Sequence, residues 1–172
     1  MSEFLHKILS VIDMIIKFNL KKFVVSLAIP WLVGAFSSLI TMGDRQIYNE
    51  VTTPPLSPPS WLFPVVWGIL YTLMGISLYL VWNKYEMYPD KKKAYLLFSL
   101  QLFLNFLWSP VFFTARNFLL AFIILVLLII TVAFMIAAFY DIDKRAAFLQ
   151  IPYLIWLLFA AYLNIGIYIL NR

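Results

Sequence analysis

Five long stretches of this chain contain no charged residue: residues 23–43, 51–83, 94–115, 117–140 and 146–171. About 20 apolar residues cross the hydrocarbon core of a bilayer as an α-helix, at 1.5 Å of rise per residue. The second stretch is too long and too rich in proline to be helical throughout. Ser60 can cap a helix that starts before Trp61. The expected spans are therefore 23–42, 60–82, 94–114, 118–140 and 146–170. Barrel strands would alternate apolar and polar residues with a period of two. Stretches such as 119–130 are apolar on every side, so the expected fold class is an all-α integral membrane protein with a five-transmembrane-helix bundle.

Composition leads to the same class. Of 172 residues, 64% are hydrophobic and only 12% charged, against about 25% charged in soluble domains. Too few charges remain to cover a water-facing surface, so lipid must be part of the solvent. Ten of the 13 Lys and Arg residues fall at one end of the expected bundle: Lys7, Lys17, Lys21, Lys22, Lys84, Lys91, Lys92, Lys93, Lys144 and Arg145. Arg45, Arg116 and Arg172 fall at the other. This bias predicts a cytoplasmic N-terminus and an external C-terminus. The clusters read as topology signals and contacts to anionic membrane lipids, not as a nucleic-acid footprint.

Residues 1–22 form a separate segment, ahead of a transmembrane domain over 23–172. His6, Ser10, Asp13, Lys17 and Lys21 recur every three or four residues, with Leu5, Ile8, Ile12, Ile15 and Leu20 on the other side. That pattern predicts a short amphipathic helix in the plane of the interface.

The chemistry of conventional catalysis is missing from the expected spans. None of the eight acids lies in one, nor does the single histidine, His6. That argues against proton relays and ion-coupled transport. The chain has no cysteine, hence no disulfide or thiolate site. No metal-ligand cluster, phosphate loop or catalytic carboxylate pair stands out, and no cofactor is expected. An enzyme would have to work with Trp, Tyr, Asn and Gln alone.

Three expected helices carry aromatic and amide side chains on one stripe each. Trp67, Tyr71 and Met74 share a face of the second. Gln101, Asn105 and Trp108 share a face of the third, and Trp156, Ala160 and Asn164 a face of the fifth. Convergent stripes would enclose an aromatic cavity suited to a flat small molecule. Packing between helices, with the amides as interhelical glue, accounts for the same pattern. Trp31, Trp61 and Trp82 read as interfacial anchors. The proline-rich segment 52–60, which includes Pro58 and Pro59 and leads into Trp61, is either a lid or a stiff spacer. Pro30, Pro64, Pro110 and Pro152 read as lying near span ends, which predicts a rigid bundle and weighs against a transporter. Arg116 reads as an interfacial anchor, with pairing to an acid or to an anionic ligand as the alternative. Gly34, Ala35 and Ser38 make the first helix a candidate for close packing against a second copy.

These motifs resemble the translocator protein (tryptophan-rich sensory protein) family. The resemblance rests on Pro58-Pro59-Ser60-Trp61 followed by Pro64, Trp67, Tyr71 and Gly75. It continues with Gln101, Asn105, Trp108-Ser109-Pro110, Phe112-Phe113 and Arg116, then Pro152-Tyr153, Trp156, Ala160 and Asn164, with Tyr48 ahead of the first loop. It implies a five-helix bundle whose pocket opens near that loop and binds a porphyrin such as protoporphyrin IX, or a sterol-like ligand. It further implies a role in tetrapyrrole sensing or regulation and, as in many members, a homodimer. Trp67 and Trp156 match tryptophans implicated in light-dependent porphyrin breakdown in some bacterial members. Asn105, Trp108, Ala160 and Asn164 match other pocket positions. The chain departs from the family at Thr53 and Leu56, where a lysine and a tryptophan are usual, and at Ile124, where an aspartate is usual. The cholesterol pattern is present only loosely, as Leu163, Tyr168 and Arg172. These departures favour a prokaryotic plasma membrane.

Overall fold

A computed structural model describes residues 18–43, 47–84 and 92–172. The amphipathic reading of the N-terminal segment falls mostly outside them. Among the described residues there are helices and no strands. They are α1 (Leu20–Ile40), α2 (Ile47–Glu50), α3 (Leu62–Asn83), α4 (Lys92–Phe113), α5 (Phe118–Ile142), α6 (Lys144–Phe148) and α7 (Ile151–Leu170). Among the described residues, five spans are long and apolar enough to cross a membrane: α1, α3, α4, α5, and α6 with α7 taken together.

Local chemistry sets the ends. Asn19 caps α1, its Oδ1 accepting from the Lys22 amide at 2.9 Å, and Asn117 caps α5 through the Leu120 amide at 3.0 Å. Each cap satisfies a backbone N–H that the first turn leaves open. The expected Ser60 cap does not form. Trp61 occupies the N-cap position of α3 and makes no side-chain capping bond. The fifth span is broken after Phe148 and resumes with Pro152 in the first turn of α7, where its missing N–H costs nothing.

α1 packs against α3 and α4, α4 against α5, and α5 against α7. Aromatic contacts between α3 and α7 close the ring: Trp67 with Tyr153 at 6.1 Å and Phe63 with Trp156 at 6.0 Å between centroids. α5 shows how an all-apolar helix divides its surface. Ala121, Leu125, Leu128, Val132, Met135 and Phe139 are buried on one stripe, while Leu127, Ile130 and Phe134 face outward. Ile124 belongs to the buried stripe and to the main core.

The α1–α3 seam is tight because of glycines. A Cβ on Gly75 would lie 2.7 Å from the Leu27 Cα and 3.0 Å from the Ser26 carbonyl oxygen. Pro30 lies within α1, not near its end as expected. Having no N–H, it leaves the Ser26 carbonyl without its usual helical donor, and this carbonyl is turned against Gly75. Gly34 abuts the Tyr71 ring, and Ala35 and Ser38 border an internal cavity. Gly34 thus makes its close contact within the chain.

Candidate functional site

The bundle encloses a cavity of about 360 Å³, lined from all five spans and from the loop after α1. Trp31 and Gly34 of α1, Phe63, Trp67 and Tyr71 of α3, and Asn105, Trp108 and Phe112 of α4 form one side. Leu125 and Leu128 of α5 form the back. Trp156, Leu157, Ala160 and Asn164 come from α7, and Tyr48 and Ser60 from the loop region. Among the described residues no charged side chain lines it.

Two polar systems hold these walls. The Tyr71 hydroxyl donates to Asn105 Oδ1 at 3.1 Å, Asn105 Nδ2 donates to the Tyr153 hydroxyl at 3.0 Å, and that hydroxyl donates to Gln101 Oε1 at 3.1 Å. One chain of bonds therefore ties α3, α4 and α7 through their apolar interior. Separately, Trp108 Nε1 donates to Asn164 Oδ1 at 3.0 Å, and Asn164 Nδ2 donates to the Phe118 carbonyl at 2.8 Å. That fastens α4, α7 and the start of α5. A buried polar group is costly unless paired, so these bonds fix which faces turn inward.

The loop over 52–60 is fastened to α7. The Thr52 amide donates to Asn171 Oδ1 at 2.9 Å, and Asn171 Nδ2 returns a bond to the Thr52 carbonyl at 2.8 Å. The Tyr162 hydroxyl donates to the Pro55 carbonyl at 2.7 Å. Buried Pro54 sits against Gly166, where an added Cβ would approach its Cγ to 2.6 Å. On the opposite side the Tyr48 hydroxyl donates to the Pro58 carbonyl at 3.2 Å. Burial pushes the Tyr48 phenol above the usual tyrosine range, with a Ser57 hydrogen bond pulling the other way, so it is neutral at the cavity edge. Leu56 stands at the tip with φ of 65° and is 84% exposed. Arg116 pairs with Glu50 at 3.2 Å, linking the α4–α5 turn to α2.

Of the residues expected from sequence, Trp67, Tyr71, Asn105, Trp108, Trp156, Ala160 and Asn164 border the cavity. Gln101 is fully buried outside that lining and reaches it only through Tyr153 and Asn105. Trp61 is exposed at the start of α3, and Pro58 and Pro59 lie in the fastened loop. Trp31 is not at an interface. It lies midway along α1, its Nε1 donating to Thr72 Oγ1 at 3.3 Å across the α1–α3 seam. The expected set omitted several lining residues, among them Phe63, Phe112, Leu125 and Leu157, and it omitted Tyr153, which joins Asn105 to Gln101 behind the cavity wall. Tyr153 precedes Trp156 by three residues and shares the stripe of Leu157, Ala160 and Asn164, which is the signal that marks it.

Fold and site together define a multi-pass membrane protein built around a tryptophan-walled cavity whose described lining carries no charge. The sequence model of the TspO/MBR family matches residues 23–170. The chain is 40% identical over 154 residues to the tryptophan-rich protein TspO of Archaeoglobus fulgidus, covering 89% of this chain and 99% of that protein. It is 40% identical to the protein of the same name from Chlorobaculum tepidum, over 72% of this chain and 78% of the other. It is 38% identical to the translocator protein of Homo sapiens, over 80% of this chain and 89% of the other. The chain belongs to the TspO/MBR family. Its archaeal and bacterial relatives support a prokaryotic membrane as its setting.

Proposed function

We propose that the cavity is a receptor-like site for a flat hydrophobic ligand, a porphyrin such as protoporphyrin IX or a sterol-like molecule, in tetrapyrrole sensing or regulation. The observation that carries this reading is the convergence of Trp67, Trp108 and Trp156, from three helices, on one cavity with no charge among its described lining residues. Apolar walls with few polar groups are the usual make-up of a small-molecule site. Each aromatic contact contributes about 0.5–1.5 kcal/mol beyond area burial.

The amides orient the ligand less than their positions suggest. Asn105 and Asn164 each already accept one bond and donate another. A second hydrogen and a second lone pair remain on each. Affinity therefore comes from stacked apolar area. At about 360 Å³ the cavity lies at the lower end of the ~300–1,000 Å³ range of ligand sites. A full tetrapyrrole leaves an edge outside, and its propionates belong at the mouth, in water. Arg116 offers them little there, being engaged by Glu50. The lysine-rich end of the bundle supports a cytoplasmic N-terminus.

Trp67 and Trp156 both border the cavity, which favours a second reading, light-dependent degradation of the bound porphyrin beside an indole. The test of the first reading is a protoporphyrin IX titration of the purified protein in the dark, followed by tryptophan fluorescence. Saturable quenching that weakens in Trp67→Phe/Trp156→Phe is expected. Equal quenching in both proteins rejects the cavity as the porphyrin site.

A further inference from the structure

A second concavity lies outside the bundle, between α1, α3 and α4, at the end that carries the N-termini of α1 and α4. Its volume is about 340 Å³, close to that of the internal cavity, and it is lined by Ile29, Leu78, Trp82, Tyr95, Ser99 and Leu102 among others. Nothing in the family reading requires it. Its floor is apolar, with Leu78 and Leu102 buried.

Charge collects at one end of this groove. Lys22 lies seven residues before Ile29 on α1, and Lys92 lies three and seven residues before Tyr95 and Ser99 on α4. Those spacings put each lysine on the same helical stripe as the groove residues of its own helix, nearer the membrane surface. The Lys22 ammonium is 6.0 Å from the centroid of the Trp82 ring. Its position is fixed by the anchoring of the α1 start on α3. The Asn19 amide donates to the Tyr79 hydroxyl at 3.1 Å, and Phe23 packs edge-on to the Tyr79 ring at 5.3 Å. Trp82 brings an indole, the side chain that favours the headgroup level.

We propose that this groove is a specific site for one anionic phospholipid, with an acyl chain along Leu78, Tyr95, Ser99 and Leu102 and the headgroup phosphate at Lys22, Lys92 and Trp82. An apolar slot accepts any lipid tail. Lysines on two of its helices select a net negative headgroup over a zwitterionic one, whose own cation they repel.

The test is native mass spectrometry of the purified full chain in neutral detergent with equimolar dioleoylphosphatidylglycerol and dioleoylphosphatidylcholine. Wild type is expected to retain phosphatidylglycerol in preference. Lys22→Gln/Lys92→Gln, which removes both charges and the Lys22 contact with Trp82, is expected to cut that retention roughly tenfold. Ser99→Trp, which fills the slot from an exposed position, removes the adduct. Lys144→Gln, at the same end of the bundle but away from the groove, leaves it unchanged. Equal retention of both lipids by wild type overturns the proposal. So does a preference that survives Lys22→Gln/Lys92→Gln. If Ser99→Trp breaks a dimer while phosphatidylglycerol retention persists, the groove belongs to a second copy of the chain and the proposal falls.

Discussion

Gly34 of α1 lies flat against the ring of Tyr71 on α3, so close that a methyl group at Gly34 would occupy space the ring already fills. The same Tyr71 begins the hydrogen-bonded chain through Asn105 and Tyr153. Helix spacing at the α1–α3 seam and polar order inside the cavity therefore meet at one side chain.

Gly34→Ala obliges the Tyr71 ring to swing and lose its bond to Asn105. Gly75→Ala meets the Leu27 Cα instead, and backbone cannot swing aside. Overpacking costs about 1–3 kcal/mol. Gly75→Ala is expected to lower the thermal midpoint in detergent more than Gly34→Ala. Gly34→Ala is expected to weaken porphyrin quenching more than Gly75→Ala. The reverse order in both assays would mean that the two glycines do not divide their roles this way.

Tyr153→Phe keeps the ring against Trp67 and removes only the hydroxyl shared by Asn105 and Gln101. Two buried amides each lose a partner, at about 1–3 kcal/mol for an unsatisfied buried group. Denaturation midpoints should fall accordingly. A variant as stable as wild type would show that the two amides find partners elsewhere.

The spans were legible because charge is excluded from lipid-crossing helices, and the stripes of Trp67/Tyr71, Asn105/Trp108 and Trp156/Asn164 because helical period fixes a face. Partnership across helices was not legible. Trp31 carries the polar handle typical of an interfacial residue, but Thr72 satisfies it in mid-membrane. Pro30 read as a span end for want of knowing that Gly75 admits the carbonyl it frees. Gln101 shares a stripe with Asn105, yet it is turned to Tyr153 and away from the cavity. One helix's sequence shows which side chains share a face, and the neighbouring helix decides what they meet.

The fastened loop suggests a kinetic role. Asn171 makes both bonds to Thr52 from the end of α7. Asn171→Ala releases that end while leaving every cavity-lining side chain in place. Ligand dissociation, followed by stopped-flow fluorescence, should speed up several-fold with a smaller change in equilibrium affinity. An unchanged dissociation rate would mean that the loop is a spacer that does not gate the cavity.

Asp143 joins α5 to α6 and is almost fully buried, with Lys84 Nζ at 3.1 Å and Arg145 Nη2 at 3.2 Å. It also caps α6 through the Arg145 amide at 2.9 Å. Burial, the largest single influence, raises its carboxyl. The bonds from Arg145 and Lys84 together outweigh it and hold the group below the usual carboxylate range. A depressed folded-state value means that the carboxylate stabilises the fold at every pH above its unfolded value of about 3.9. That contribution disappears as pH falls through the folded value. Asp143→Asn should therefore lower the thermal midpoint by a constant amount from pH 7 to about 5, and the gap to wild type should narrow below about pH 4. Melting both proteins across that range isolates this group, since the other carboxylates are common to the pair. A gap that widens on acidification would mean that Asp143 is held by something other than its charge.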